Sequence, residues 1–513
     1  MTRNLSAPAL DALLFVFLVN LVLQPPTDPD FGWHLRAGLD LIAGGWRMPE
    51  TDPYSHTVPD WHWVEHAWLA DGVIGLLYRG FGGAGLLAVI VLFGAVTGGA
   101  FLLAAATARA ERTARVAATV VALWVALPFL GARMQMITLL GLSVTLWLSE
   151  RGRGRDSAWW LLPPLMLLWA NVHGGFTAGL FALFLLLAAS TLVRLIVTRR
   201  PALAARLQEP VLTWVRLGRL ALIVALAAAV TLANPYGWRL HQEIVESLSN
   251  RFMTDTLHEW QPLSPATTTG RMFLIYLAGL AIAMAAWYRK VEPVRWTVLA
   301  VFLLFALRHW RNIPLFLLVS VPLAAELLDM ALGRLWALWP EPGRLKRGLL
   351  GMTLAIGLTA LILGSDHLER IAQAGLQPDR FFRSTEYPIE AIEWARTHRP
   401  LGARLYNDYG WGGFLLWWLP GEKIFIDGRM PAWRVGDRWI FYDYVALTAW
   451  DPPELRVLDK YDVDWALIGT GSPLALALSA HDGWTARYAD EKATIYTKAA
   501  APAGDSLIDR RVR

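Results

Sequence analysis

Residues 24–69, QPPTDPDFGWHLRAGLDLIAGGWRMPETDPYSHTVPDWHWVEHAWL, form a polar segment that directly follows the first hydrophobic segment of the chain. The segment combines seven carboxylates, four imidazoles and five indoles: Asp28, Asp30, Asp40, Glu50, Asp52, Asp60 and Glu65; His34, His56, His62 and His66; Trp33, Trp46, Trp61, Trp63 and Trp68. Carboxylates and imidazoles beside a bilayer are costly unless they are solvated, paired or functional. We therefore expect this segment to carry the chemistry of a membrane protein.

The composition of the whole chain is that of a polytopic helical membrane protein. Its 513 residues are 55% hydrophobic and 17% charged, with a mean hydropathy of +0.38, whereas soluble domains carry about 25% charged residues. The chain has no cysteine, which excludes disulfides, thiolate catalysis and cysteine-ligated metals. The net charge of +5 comes from short loops between apolar runs, so membrane topology explains it better than a nucleic-acid partner.

Apolar runs predict eleven membrane spans, at 8–24, 84–107, 116–131, 134–149, 158–171, 175–197, 219–233, 271–288, 295–308, 312–330 and 348–364. If the N-terminus is cytoplasmic, every loop on that side is basic, as the positive-inside rule requires. The opposite, outer loops then include 28–65, 133–135, 171–175, 234–265 and 308–312. All 11 histidines fall on the outer side, which also has more polar chain.

The pattern becomes mixed and water-soluble from residue 365 onward. We expect a transmembrane domain over 1–364 with the outer loop 25–69, an extracytoplasmic α/β domain over 365–499, and a loose tail over 500–513. The predicted elements of the α/β domain are an amphipathic helix at 388–398 and strands at 403–407, 423–426, 465–468 and 494–497. Asn407–Gly413 and Ile426–Arg429 follow two of these strands, where they could bind a glycan or dock on the membrane domain.

Asp28 and Asp30 stand between the first span and an expected interfacial helix, 31–43. Either carboxylate could act as a general base towards an acceptor hydroxyl or hold a divalent cation on a phosphate. The structural alternative is that Asp30 caps the helix and Asp28 is a solvated turn residue. His34 lies one turn beyond Asp30 and could share its site.

Glu65 and His66 open the next expected helix, 63–78. A glutamate in a first helical turn is favourable through the helix dipole alone, so a metal or catalytic role is one of two interpretations. His62 and His66 are four residues apart and could bind a metal together, although this spacing alone is a weak signal.

The short outer loops carry cations and small polar turns. Arg133 and Gln135, and the pair Arg308 and Arg311, suit a phosphate or carboxylate ligand, or else form salt bridges between helices or reach to lipid head groups. Asn171 and His173 belong to a tight outer turn before Gly174 and Gly175, where His173 could face the active cavity or cap a neighbouring helix.

The order of these pieces resembles the GT-C superfamily of polytopic glycosyltransferases, which includes the aminoarabinose and protein-mannosyl transferases. The pieces are an acidic motif after the first span, a juxtamembrane helix, a Gly-Gly-x-x-x-Pro turn (44–49), and Glu65-His66-Ala67-Trp68-Leu69. The chain looks closest to a largely uncharacterised bacterial branch with Asp-Pro-Asp-x-x-Trp-His, Arg-x-Gln, Asn-x-His-Gly and Phe-Ile-Asp-Gly-Arg, here 28–34, 133–135, 171–174 and 425–429.

This resemblance implies transfer of a sugar from a polyprenyl-phosphate donor to an acceptor outside a bacterial inner membrane, with Asp28 or Asp30 as the base. It also implies a divalent cation, Mg²⁺ or Mn²⁺, among Asp28, Asp30, Glu65 and His66. Arg308 and Arg311 would bind the donor phosphate, and aromatic residues near Trp33 and Trp63 would stack on the sugar. The alternative function is a non-enzymatic carrier or flippase for lipid-linked saccharides, or a structural subunit of an envelope-polymer assembly.

Overall fold

The computed structural model describes residues 7–207, 210–287, 292–337 and 365–499. These residues form two compact units. The first unit contains the chain up to Asp28, residues 41–45 and residues 64–376, and the second contains 29–40, 46–63 and the chain from Gln377. Two pieces of the predicted outer loop thus group with the C-terminal residues, and residues 365–376 group with the first unit.

The first unit is helical. Its helices are α1 (Ala7–Val22), α3 (Trp68–Phe81), α4 (Gly83–Ala106), α5 (Arg112–Ala126), α6 (Gln135–Gly154), α7 (Leu162–Val172), α8 (Phe176–Arg199), α9 (Trp214–Val230), α10 (Trp238–Ser249), α11 (Arg251–Thr256), α12 (Thr268–Trp287), α13 (Pro293–Arg308), α14 (Ile313–Ala337) and α15 (Ser365–Leu376). Helix α2 (Phe31–Ala43), which was expected to be interfacial, has the predicted bounds, and its residues up to Asp40 belong to the second unit.

Each predicted span from 8–24 to 312–330 coincides with a helix, and the last, 348–364, lies outside the described residues. Within the described ranges, five helical segments are long and apolar enough to cross a membrane: Gly83–Ala106, Arg112–Phe129, Phe176–Arg199, Thr268–Trp287 and Trp310–Arg334. The protein is therefore a multi-pass helical membrane protein.

Small residues let two helices of the first unit approach closely. Gly94 and Gly98 are one helical turn apart on α4 and face Val19 and Leu23 at the end of α1. A β-carbon on Gly94 would come within 2.7 Å of Leu23 Cδ2. Spacing of small residues by four is a common packing device in membranes, where helices gain little from the hydrophobic effect and associate through close contact.

The second unit contains short helices and a small sheet. The helices are α16 (Pro378–Arg383), α17 (Ile389–Thr397), α18 (Tyr409–Trp418), α19 (Ile440–Thr448), α20 (Arg456–Lys460) and α21 (Pro473–Ser479). The strands are β1 (Leu405–Asn407), β2 (Arg434–Val435), β3 (Arg438–Trp439), β4 (Trp465–Gly469), β5 (Trp484–Ala489) and β6 (Ala493–Lys498).

The four-stranded sheet has the order β1-β4-β6-β5, with β1 parallel to β4 and the other pairs antiparallel. β1, β4 and β6 coincide with predicted strands, whereas β5, whose residues are mostly exposed, was not predicted. The predicted strand 423–426 forms one isolated bridge, between Ile424 and Ser55 of the outer loop. Hydrogen bonds from Ile424 N to Tyr54 O, 3.0 Å, and from Thr57 Oγ1 to Phe425 O, 2.8 Å, extend this pairing.

Candidate functional site

In the first unit, the carboxylate of Asp28 forms an ion pair with Arg133. The Asp28 side chain is largely buried, with 8% of its surface exposed, and Arg133 Nε donates to its Oδ2. The solvated-turn alternative for Asp28 is therefore wrong. The Arg133 guanidinium therefore occupies the Asp28 carboxylate.

Gln135 lies two residues after Arg133, at the start of α6, and its side chain contacts Arg311. With its amide oriented so that the oxygen faces the guanidinium, Gln135 Oε1 accepts from Arg311 Nη2 at 3.2 Å and from Arg311 Nε at 3.3 Å. Arg311 also donates to Glu259 Oε1 at 2.8 Å and lies 4.3 Å from the ring centroid of Trp260. Arg311 is thus neutralised and oriented by its neighbours.

Arg308, the last residue of α13, differs from Arg311 because its side chain is exposed. Within the described ranges, the Arg308 guanidinium forms no ion pair or hydrogen bond. The structure therefore does not join Arg308 and Arg311 into one paired site. Arg308 instead presents a guanidinium that is open to an external anion.

His66 and His173 approach each other in the same unit. Their ring centroids are 5.7 Å apart in an edge-on arrangement. Gly175 N donates to His173 Nδ1 at 3.0 Å, and Thr138 Oγ1 lies 3.1 Å from the same nitrogen. Because Nδ1 accepts a hydrogen bond, the network assigns the His173 proton to Nε2.

The turn before α8 also binds the start of α3. Trp68 Nε1 donates to Asn171 Oδ1 at 3.2 Å, and Asn171 Nδ2 donates to the carbonyl oxygens of Leu167 and Ala233. A β-carbon on Gly174 would lie 3.4 Å from His66 Cδ2. Asn171 thus connects three segments, and Gly174 leaves room for the His66 ring.

A second buried carboxylate, Asp71, accompanies Glu65. Glu65 is 4% exposed and Asp71 is 0% exposed, and a hydrogen bond joins the two carboxyl groups. Two carboxylates cannot both ionise when they are buried together, so the pair must share a proton or a cation. Glu65 precedes α3, which begins at Trp68, so the expected helix start at 63 is wrong.

These carboxylates fit a divalent cation by their chemistry. Oxygen atoms of Glu65 and Asp71 lie within 4.8 Å of each other, and carboxylate oxygens are the ligands that Mg²⁺ and Mn²⁺ prefer. Among the residues expected to hold a cation, Asp28 is instead bound to Arg133 and His66 contacts His173. Asp71 was missed because it lies just beyond residues 24–69, the segment in which the polar side chains are concentrated.

Asp30 belongs to the second unit, together with Trp33 and His34. Trp33 Nε1 donates to Asp30 Oδ1 at 3.1 Å, and a β-carbon on Gly428 would overlap the same oxygen. The His34 ring is buried and stacks on the Trp33 ring, with the ring centroids 3.5 Å apart. Trp33 and Trp63 are 3% and 4% exposed, so stacking of a sugar on either ring is an expectation that the structure contradicts.

The Phe-Ile-Asp-Gly-Arg motif contains a buried ion cluster. Arg429 Nη1 donates to Asp52 Oδ1 at 2.6 Å, and its Nε donates to Asp427 Oδ2 at 2.9 Å. The rings of Tyr54, Trp63, Trp433 and Trp33 lie 5.0–6.0 Å from the guanidinium. Burial favours a raised pKa for Asp52, but Arg429 and hydrogen bonds from Ser55 and Tyr54 hold that pKa below its ordinary value.

Asp427 differs from Asp52, because burial raises the pKa of Asp427 despite the opposing effect of Arg429. Sequence reasoning singled out residues 426–429 but missed Asp52. Its partner is 377 residues away along the chain, and Asp-Pro dipeptides are ordinary turn signals. The cluster ties the outer-loop residues 46–63 to the C-terminal residues within the second unit.

Two of the solved proteins with a similar fold are ArnT and AglB. ArnT from Cupriavidus metallidurans bound to undecaprenyl phosphate is 16% identical, with a TM-score of 0.50, and the match covers 95% of this chain and 96% of that chain. ArnT in the apo state is also 16% identical, with a TM-score of 0.51, and the match covers 96% of this chain and 98% of that chain. The oligosaccharyltransferase AglB from Archaeoglobus fulgidus, in complex with an inhibitory peptide and a dolichol-phosphate, is 12% identical (96% of this chain, 75% of that chain, 0.52).

The chain shares its fold with ArnT and AglB. No protein-family model matches the sequence, and no curated protein matches it either. The shared fold agrees with the resemblance to the GT-C superfamily drawn from the order of the motifs, whereas the helices within the described ranges do not confirm the count of eleven spans. Because the identities are 12–16%, the likeness concerns the fold, and the roles of the site residues rest on their own geometry.

Proposed function

We propose that this protein is a glycosyltransferase of a bacterial inner membrane that moves a sugar from a polyprenyl-phosphate donor to an acceptor on the outer side. The observation that carries the proposal is the clustering of polar side chains in the first unit. The ion pairs and ring contacts of Asp28, Arg133, Gln135, Arg311, His66 and His173 bring together residues from several helix ends. The GT-C fold and its solved members, which bind undecaprenyl and dolichol phosphates, support the same chemistry.

Asp30 is the base in this proposal, because Asp28 is engaged by Arg133. The acceptor hydroxyl gives its proton to the Asp30 carboxylate while its oxygen forms a bond to the anomeric carbon of the donor sugar. The bond from that carbon to the phosphate oxygen breaks, and the polyprenyl phosphate leaves with the electron pair. The product is inverted at the anomeric carbon.

The donor phosphate is bound by Arg308, whose exposed guanidinium has no partner within the described ranges. Glu65 and Asp71 would hold a divalent cation, which when bound supplies positive charge for a phosphate. The roles of the remaining residues are to orient: Asn171 fixes Trp68, and His173 packs on His66. We place the C-terminal residues outside the membrane and the N-terminus in the cytoplasm, from the basic loops.

The deciding experiment incubates the purified protein with labelled polyprenyl-phosphate sugars and candidate lipid, glycan and peptide acceptors. Wild type is compared with Asp30→Asn, Asp28→Asn and a control, Asp60→Asn, which alters an exposed carboxylate of the same loop. We expect Asp30→Asn to lower kcat by about a hundredfold or more and Asp60→Asn to leave it unchanged. A wild type that binds donor but neither transfers nor hydrolyses it would favour the carrier alternative and refute the proposal.

The role of Arg308 is tested by donor affinity. Arg308→Ala is expected to raise the KM for the donor about tenfold, while kcat changes little. Arg251→Ala removes another exposed arginine and serves as the control. Equal effects of the two substitutions would mean that general surface charge, and not Arg308, attracts the donor.

A further inference from the structure

The carboxylate proposed as the base accepts a hydrogen bond from an indole N–H of α2, the helix that it precedes. Trp33 Nε1 donates to Asp30 Oδ1 at 3.1 Å, and Trp33 is 3% exposed. Its ring also packs edge-on against Trp63, with centroids 6.3 Å apart. Because the indole is enclosed on its faces, it fixes the direction from which Oδ1 receives its hydrogen bond.

The backbone of the C-terminal residues lies directly against the same oxygen. A β-carbon on Gly428 would overlap Asp30 Oδ1, so only glycine leaves room for the carboxylate in this position. A β-carbon on Gly413 of α18 would likewise overlap the carbonyl oxygen of Pro29, the residue before Asp30. Two glycines of the C-terminal residues thus contact two successive residues of the outer loop.

Gly428 cannot easily move away, because both of its chain neighbours are fixed. Asp427 and Arg429 are buried and hydrogen-bonded to each other, and Arg429 is bonded to Asp52. A β-carbon on Gly412 would overlap the carbonyl oxygen of Ile426. The ion cluster therefore holds a short piece of backbone at a set position beneath Asp30.

We propose that Trp33 and Gly428 are positioning residues for the Asp30 carboxylate, and that the Asp-Gly-Arg segment of the C-terminal residues is thereby required for the transfer step. This inference rests on the proposed function, because it needs Asp30 to be the base. It assigns a catalytic purpose to a motif that the proposed transfer reaction does not otherwise use. Correct placement of a base contributes to kcat and not to donor binding.

The first test removes the indole N–H and keeps an aromatic ring. Trp33→Phe is compared with Trp61→Phe, since Trp61 Nε1 is buried and has no hydrogen-bond partner in the described part of the chain. Trp33→Phe is expected to lower kcat about tenfold with an unchanged KM for the polyprenyl-phosphate sugar. Trp61→Phe should keep both values.

The second test adds one methyl group. Gly428→Ala is expected to displace the Asp30 carboxylate and lower kcat by about a hundredfold, as misplacement of a reacting group by about 1 Å does. Gly410→Ala is the control, because a β-carbon there would meet no atom within 4 Å. Thermal unfolding and size-exclusion profiles of all variants are recorded in the same detergent. If Gly428→Ala does not fold, the comparison of Trp33→Phe with Trp61→Phe tests the proposal.

The outcomes separate the two proposals. If wild type transfers sugar and Asp30→Asn does not, but Trp33→Phe retains the wild-type kcat, the positioning role is overturned and the proposed function stands. A fall in kcat that is the same for Trp33→Phe and Trp61→Phe also overturns it. If Asp30→Asn transfers sugar at the wild-type rate, both the assignment of the base and this inference fail.

Discussion

Replacement of Arg429 by methionine should destabilise the second unit more than any surface substitution. Methionine keeps much of the side-chain volume among the surrounding rings but removes the charge. Asp52 and Asp427 would then lie buried with no guanidinium between them, and both side chains are 0% exposed. Their desolvation would remain while the attraction that offsets it is lost.

The magnitude follows from the burial and the number of partners. Removal of one member of a buried ion pair typically costs about 3–5 kcal/mol, and Arg429 serves two carboxylates and contacts four rings. For a unit of this size, such a loss should lower the unfolding temperature by roughly 10 °C. The loss of stability relative to wild type should become smaller as the pH falls. The reason is that Asp52 and Asp427, without Arg429, bind protons more tightly in the folded variant than in the unfolded one.

Thermal unfolding followed by tryptophan fluorescence measures this loss at pH 8 and pH 5. The control is Arg438→Met, whose guanidinium is 60% exposed and 3.9 Å from Asp443, and which should change the stability by less than about 1 kcal/mol. Adding Asp52→Asn to Arg429→Met should recover part of the loss. An Arg429→Met protein that unfolds within about 2 °C of wild type would refute the buried-cluster reasoning.

Two other predictions concern carboxylates elsewhere. Burial raises the pKa of Asp408 to about 6, although Gly469 N donates a hydrogen bond to its carboxylate. The folded state therefore binds a proton at Asp408 more tightly than the unfolded state does, and the free energy of unfolding falls as the pH rises from about 4 to about 6. Asp408→Asn should stabilise the protein by up to about 3 kcal/mol at pH 8 and by little at pH 4, and equal effects at the two pH values would contradict this. Mn²⁺ should raise the unfolding temperature of wild type but not of Asp71→Asn, and an equal rise in both would exclude Asp71 as a ligand.

The helical architecture was predictable because it depends on local properties. Long apolar runs must form helices in a bilayer, where each backbone group needs a partner within its own segment. The bounds of α2, 31–43, and the positions of the spans up to 312–330 therefore agree with the helices of the structure. The start of α3 was misplaced by five residues, because carboxylates and indoles are compatible with both a helix start and a turn.

The candidate site was predictable in its residue types but not in its pairs. The sequence indicated Arg133, Asp28 and Gln135 as polar residues at an outer surface, and the structure joins Asp28 to Arg133 and Gln135 to Arg311. It also separates Arg308 from Arg311, although they are neighbours in the chain. A 3₁₀ turn between α13 and α14 directs Arg311 towards Glu259.

By itself, the sequence determined that the chain is a multi-pass membrane protein and that residues 24–69 combine many carboxylates, imidazoles and indoles, because hydropathy and charge are properties of each segment alone. Only the tertiary structure decided that Asp28 and Asp30 belong to different units, that Asp71 joins Glu65, and that Asp30 lies against Gly428. The physical reason is that hydrogen bonds and ion pairs depend on distances between atoms far apart in the chain, which no local pattern records.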